Sequence, residues 1–184
     1  MASNQLSRRS MITGPPLSST HSNLGIMSIK PPLPPESQTE GKVPALVTQL
    51  GYGGLIPFVV LAAAIWLAEA NISVHLISLA LVGYGASIAS FLGAIHWGLA
   101  MRDTHQQHPE SYAWGVIPSL IAWLALLPDP AFGLCLLAGL LWVSYAVDRR
   151  AYTRYKLQPW LPMRLRLTVV ASASCAGGAI GLLR

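Results

Sequence analysis

The stretch from Leu79 to Met101 constrains the fold more than any other part of the chain. It contains no Asp, Glu, Lys or Arg, and an apolar run of this length predicts a membrane-spanning helix. Small residues recur along it, and Gly85, Ala89 and Gly93 stand four apart, on one helix face. Small residues let neighbouring helices approach closely in a bilayer. We therefore expect this helix to be the centre of a helical bundle.

The overall composition agrees with a membrane protein. Only 10% of the 184 residues are charged, 53% are hydrophobic, and the mean hydropathy is +0.49. Soluble domains carry about 25% charged residues, so the composition argues against a soluble protein. A chain of this length predicts a single domain.

Four further runs lack charged residues, and each is long enough to enter or cross a bilayer. With the central helix they predict an all-α bundle of five transmembrane helices that occupies residues 45–184. Residues 1–44 are rich in Ser and Pro, and we expect a disordered tail there. The four runs are Val43–Ala68, Tyr112–Leu127, Ala131–Val147 and Leu167–Leu183.

The tail has several interpretations. Arg8 and Arg9 resemble a twin-arginine export signal, but the apolar run that such a signal requires does not follow them. No acidic residue precedes Glu36, which is typical of a mitochondrial presequence. Translation from Met27 would instead leave a short cytoplasmic leader.

The basic residues indicate one orientation. Five spans with the N-terminus inside and the C-terminus outside place every basic residue except Arg184 on the inner side, as the positive-inside rule requires. The pI near 9.6 and the net charge of +5 then reflect orientation in a lipid bilayer, and we expect no nucleic-acid partner. The inner residues are Arg8, Arg9, Lys30, Lys42, Arg102, Arg149, Arg150, Arg154, Lys156, Arg164 and Arg166.

Several motifs between Gly51 and Leu183 resemble a known family. They are LIPF, YGASIASFLGAIHWGLA, IPSLIAWLALL and PWLPMRLRLT. They are similar to a family of small bacterial and mitochondrial multi-pass membrane proteins that is catalogued as a domain of unknown function. The resemblance implies a bacterial inner membrane or, as the alternative, a mitochondrial inner membrane. It implies no catalytic residue, substrate or cofactor.

Ionisable residues near the inner ends of the helices form the candidate site. We predict a polar cluster of His96, Arg102, Asp148 and Arg166, because all four lie at the same side of the predicted bundle. An ionisable group at membrane depth is a functional hypothesis, and His96 could act in a proton relay or a buried ion pair. The structural alternative is a histidine bonded to a carbonyl or a headgroup, with Asp148 at a solvated helix end.

The small residues predict helix contacts. We expect the face with Gly85, Ala89 and Gly93 to pack closely against another helix, and the last helix offers a similar row of Ala173, Gly177 and Gly181.

The remaining residues suggest neither a metal site nor a catalytic site. His105 and His108 have metal-ligand spacing, but Pro109 interrupts any helix there, so we expect a solvated loop. We expect no metal, no cofactor and no enzymatic activity. The first hypothesis is an interaction or assembly component that binds another membrane protein or a second copy of itself. The alternative is a small proton-coupled transporter or carrier that uses the His96 region.

Overall fold

The computed structural model describes residues 43–68, 72–102 and 109–184, and these form helices joined by short turns without any strand. The predicted all-α, multi-pass fold is confirmed. Residues 1–42 of the predicted tail and the loop with His105 and His108 lie outside the described residues. The helices are α1 (Ala45–Gly53), α2 (Ile56–Leu67), α3 (Ile72–Arg102), α4 (Pro109–Leu124), α5 (Pro130–Arg154) and α6 (Leu161–Leu182), with a 3-10 turn at Gln158–Trp160.

Four stretches of the described chain are long and apolar enough to span a membrane. The 16-residue α4 is not among them, although it makes a pass of the bundle. His96 near the end of α3 contacts Asp148 near the end of α5, so α3 and α5 run in the same direction and α4 must return the chain between them. The four stretches are Ala45–Leu67, Ser73–Arg102, Pro130–Arg154 and Gln158–Leu182.

The first span is broken into α1 and α2. The break lies at Gly54 and Leu55, and Pro57 follows in the first turn of α2, where its missing N–H is tolerated. The hydroxyl of Tyr84 donates a hydrogen bond of 2.7 Å to the carbonyl oxygen of Gly54. Phe58 packs edge-on against the Tyr84 ring, with the centroids 5.0 Å apart. These contacts fasten the break to the middle of α3.

The predicted end of the fourth span and the predicted start of the fifth span were wrong. Asp148, Arg149 and Arg150 were expected to end the fourth span, but α5 continues to Arg154, and α6 begins at Leu161 instead of Leu167. Arginine is a good helix former, so a charged residue ends the charge-free run without ending the helix. Asp148 and Arg164 therefore stand on helices and not in a loop.

Helix α3 is central, because α2, α4, α5 and α6 all contact it. A Cβ atom added to Gly93 would lie 2.6 Å from the carbonyl oxygen of Gly115 on α4, and one added to Gly85 would lie 3.0 Å from Leu137 on α5. Ala89 is fully buried between them. The small-residue face of α3 therefore receives α4 and α5.

The contact face of α6 differs from the predicted one. Ala173 is exposed, and a Cβ on Gly177 would meet nothing within 4 Å. Gly181 of the predicted row lies against Ile65 and Trp66 of α2, and Gly177 contacts α2 only through its carbonyl oxygen, which accepts a hydrogen bond from Trp66. The helix is rotated relative to the expectation, so that a neighbouring row faces the core: Ala171, Cys175, Gly178 and Ala179.

Candidate functional site

Three buried ionisable side chains meet at one end of the bundle. His96 comes from the last part of α3, Asp148 from the last part of α5, and Arg164 from the first turn of α6. Because α5 and α6 are antiparallel neighbours joined by a short turn, the end of one lies beside the start of the other. Each residue of this His96–Asp148–Arg164 cluster is thus held by a different helix.

The carboxylate of Asp148 lies at the centre of the cluster. One oxygen, Oδ1, is 2.8 Å from Nε2 of His96. The other, Oδ2, accepts a hydrogen bond of 2.9 Å from Nε of Arg164 and a second from an Nη atom of the same guanidinium. The side chains of His96 and Asp148 are 3% exposed and that of Arg164 is 11% exposed. An ionised group so far from water is tolerated only with a partner, and here both carboxylate oxygens have one.

Two of the four predicted members lie elsewhere. Arg102 is exposed at the last position of α3. Arg166 is exposed and donates a 3.3 Å hydrogen bond to the hydroxyl of Tyr52. The structure brings His96 and Asp148 together, as predicted. The arginine at the carboxylate, however, is Arg164, which was predicted only as one of the basic residues on the inner side.

A signal for Arg164 was present in the sequence. Thr168, Ser172 and Cys175 follow it at spacings of three and four, and all are buried. Positions at this spacing share one helix face. A row of polar and small residues that continues from an arginine marks the face that turns toward other helices in a membrane protein.

An apolar cavity of about 570 Å³ opens beside the cluster, between the first span, α3, α5 and α6. Arg164 is part of its wall, together with the mainly apolar Tyr152 and with Thr168. The other lining residues are Val47, Leu50, Gly51, Gly54, Leu55, Phe58, Ile88, Phe91, Leu92, Ile95, Leu141, Leu157, Trp160, Met163, Leu167 and Ala171.

The side chains of the cluster offer no grouped metal ligands and act mainly through hydrogen bonds. Among the described residues, no three His, Cys, Asp or Glu side chains are grouped as metal ligands would be. The cluster can hold three helices together by charge-assisted hydrogen bonds, and its histidine is a group that can take up and release a proton.

Comparison with known proteins supports the resemblance seen in the motifs. The model of a protein family of unknown function, DUF3429, matches residues 43–180. The chain belongs to this family. That range includes the whole of the His96–Asp148–Arg164 cluster and every lining residue of the cavity, so both lie in the part of the chain that defines the family.

One relative carries a descriptive name. The chain is 40% identical over 80 residues to Transmembrane protein 69 of Xenopus tropicalis, and the match covers 42% of this chain and 31% of that protein. The chain therefore matches less than a third of the relative's length. No solved structure matches the chain. Together with the apolar helices, these matches establish a multi-pass membrane protein.

Proposed function

We propose that this protein is a non-enzymatic interaction or assembly component of a bacterial inner membrane, with a mitochondrial inner membrane as the alternative location. The observation that carries the proposal is that both carboxylate oxygens of Asp148 have partners within the cluster. His96 and Arg164 each contact a different oxygen of Asp148, so these polar contacts connect α3, α5 and α6 to one another. Such a cluster fixes the arrangement of a scaffold.

The centre of the bundle supports the same proposal. Leu81, Leu134, Leu137 and Leu141 fill it and are almost completely buried. Leucine side chains have no polar group that could bind or conduct a proton or an ion. Transporters commonly place substrate sites near the midplane on broken helices, whereas the cluster here lies toward one end of unbroken α3 and α5.

The test is purification of the tagged full chain from its native membrane in a mild detergent, followed by native mass measurement. We expect a particle heavier than one copy of the chain, containing either a second copy or another membrane protein. The Ala80→Leu variant, altered at an exposed position of α3, should purify in the same state. A particle with the mass of a single chain, both from native membrane and after crosslinking there, would contradict the proposal.

A proton-coupled carrier is the second candidate, and the position of Arg164 favours it. Arg164 belongs both to the ion cluster and to the wall of the cavity, so a change of protonation at His96 could alter the cavity. Proteoliposomes with an internal pH-sensitive dye test this. Proton flux that the His96→Asn variant abolishes would support the carrier, and absence of flux with the unaltered protein would eliminate it.

We also propose that the end of the bundle with the His96–Asp148–Arg164 cluster faces the cytoplasm or, in a mitochondrion, the matrix. The described basic residues Arg102, Arg149, Arg150 and Arg154 stand at this end, which the positive-inside rule assigns to the cytoplasm or matrix. A reporter fused after Arg184 should read as external and one inserted near Arg154 as internal. Two reporters on the same side would contradict the five-pass arrangement.

A further inference from the structure

We propose that the cavity beside the cluster binds a membrane amphiphile that has a long apolar tail and an uncharged head bearing carbonyl oxygens. This ligand site goes beyond the assembly role and does not depend on it. Three features of the cavity lead to it: the apolar walls, an unpartnered hydroxyl group, and the charge balance at the polar end.

The walls suit an apolar tail. Phe58 on α2 and Ile88, Leu92 and Ile95 on α3 line the cavity. Its volume of about 570 Å³ falls within the range of about 300–1,000 Å³ that is typical of small-molecule sites. Leu50 also lines the cavity and is 67% exposed at the surface of the bundle, so molecules dissolved in the bilayer can reach the cavity.

The hydroxyl of Thr168 calls for a hydrogen-bond partner. Thr168 is 2% exposed, and its Oγ1 has no partner among the described residues. In membrane helices such a hydroxyl ordinarily donates to a carbonyl one turn earlier, as Ser90 and Ser174 do here. Because an unpaired buried hydroxyl is unfavourable, an acceptor atom brought by a ligand would satisfy Thr168.

Other hydrogen-bond donors beside Thr168 indicate where the acceptor atom of the ligand would lie. Arg164 precedes Thr168 by one helical turn on α6, and Tyr152 lines the same cavity from α5. Arginine and hydroxyl groups can donate hydrogen bonds. Oxygen acceptors at the head of the ligand fit this end of the cavity, while its tail fits between α2 and α3.

The charges favour an uncharged head. Arg164 already forms a neutral pair with Asp148. An anionic head would therefore add a net negative charge to a buried site that contains a carboxylate, which is unfavourable in a membrane interior. A quinone carbonyl and an acyl-ester carbonyl share the required chemistry, and a free fatty acid lacks it.

The experiment uses the full chain in lipid nanodiscs and the fluorescence of Trp160, which lines the cavity. Three quenching probes are titrated: a benzoquinone with a short isoprenoid tail, a diacylglycerol with brominated chains, and a brominated fatty acid. We expect saturable quenching by at least one of the first two probes and weaker quenching by the fatty acid. The probe that quenches shows whether the head of the ligand is a quinone or an acyl ester. Trp160→Phe should remove the saturable component.

Variants localise the binding. Thr168→Val removes the hydroxyl at nearly constant volume, and we expect binding about two- to tenfold weaker, the equivalent of one hydrogen bond. The matched control is Thr153→Val, at an exposed threonine of α5 that is not among the cavity-lining residues, and it should bind as the unaltered protein does. Ile88→Phe should weaken binding of the tail. Val47→Phe at the more exposed rim replaces it as the filling variant if Ile88→Phe does not fold.

Three results would each overturn the inference. These are absence of saturable quenching by both uncharged probes, quenching that Thr168→Val and the filling variant leave unchanged, and tighter binding of the fatty acid than of either uncharged probe.

Discussion

At each end of the bundle, polar contacts join neighbouring helices, and these contacts differ between the two ends. At the cluster end, the side chains of His96, Asp148 and Arg164 are buried and bind one another. At the opposite end, Trp66 donates a 2.9 Å hydrogen bond to the carbonyl oxygen of Gly177. Arg184 donates a 2.5 Å bond to the carbonyl oxygen of Trp66 and lies over its ring, 4.6 Å from the centroid. These contacts are exposed.

The difference lies in what replaces a lost partner. Water or a headgroup can reach the exposed groups of Trp66 and Arg184, so removal of either contact leaves nothing unsatisfied. Asp148 is almost completely buried, so no water or headgroup replaces a partner that it loses. Removal of Asp148 in turn leaves the buried charge of Arg164 without its counter-charge. We therefore expect the stability of the bundle to depend far more on the cluster end.

The largest effect is expected for Asp148→Asn. The substitution leaves Arg164 buried without its counter-charge, and breaking a buried pair in this way lowers the free energy of unfolding by about 3–5 kcal/mol. Thermal unfolding in detergent, followed by near-UV circular dichroism, measures the loss. The control is Asp129→Asn, because Asp129 caps α5 at the opposite end by accepting a 2.9 Å bond from the N–H of Ala131, and asparagine caps equally well.

The double variant Asp148→Asn with Arg164→Gln sharpens this test. Removing both charges leaves no isolated ion, so the pair of changes should destabilise the bundle less than Asp148→Asn alone. A double variant that is less stable than the single one would mean that Arg164 acts mainly through other contacts, and the comparison between the ends would lose its basis.

Much of the fold could be predicted from the sequence because hydropathy reports burial in lipid directly. Each charge-free run coincides with helix in the described part of the chain. His96 was noticeable as an ionisable residue inside such a run, and Asp148 as one at the end of another. The choice between Arg164 and Arg166 was missed for a geometric reason. They are two positions apart on α6, on nearly opposite faces, so the choice depends on the rotation of α6 against α5.

The same limitation explains the error at the small residues of α6. Ala173 and Gly177 were chosen by spacing alone, but α6 has small residues on more than one face, and Gly178 and Ala179 are the buried ones. Spacing shows that residues share a face, whereas the packing of neighbouring helices decides which face is covered. On α3 the prediction succeeded because Gly85, Ala89 and Gly93 all lie at contacts.

An intermediate effect is expected for Gly93→Leu. Gly93 is one turn before His96, in the half of the bundle that contains the cluster, and the added side chain would meet the backbone of Gly115 on α4. A backbone atom cannot move aside, so overpacking should lower the free energy of unfolding by about 1–3 kcal/mol. Thermal unfolding in detergent is the measurement, and Ala80→Leu at an exposed position should be nearly silent. Equal stability of the two variants would show that close approach of α3 and α4 is unimportant.

The smallest effect is expected for Trp66→Phe at the end away from the cluster. Phenylalanine keeps an aromatic ring beneath Arg184 but cannot donate to the carbonyl oxygen of Gly177, which water or a headgroup can then satisfy. Loss of one exposed neutral hydrogen bond should lower the free energy of unfolding by about 1 kcal/mol or less. The control is Trp123→Phe, at an exposed tryptophan of α4, measured by the same thermal unfolding. If Trp66→Phe destabilises the bundle as much as Asp148→Asn does, the contacts at this end are as important as the buried charges, and the proposed difference between the two ends is wrong.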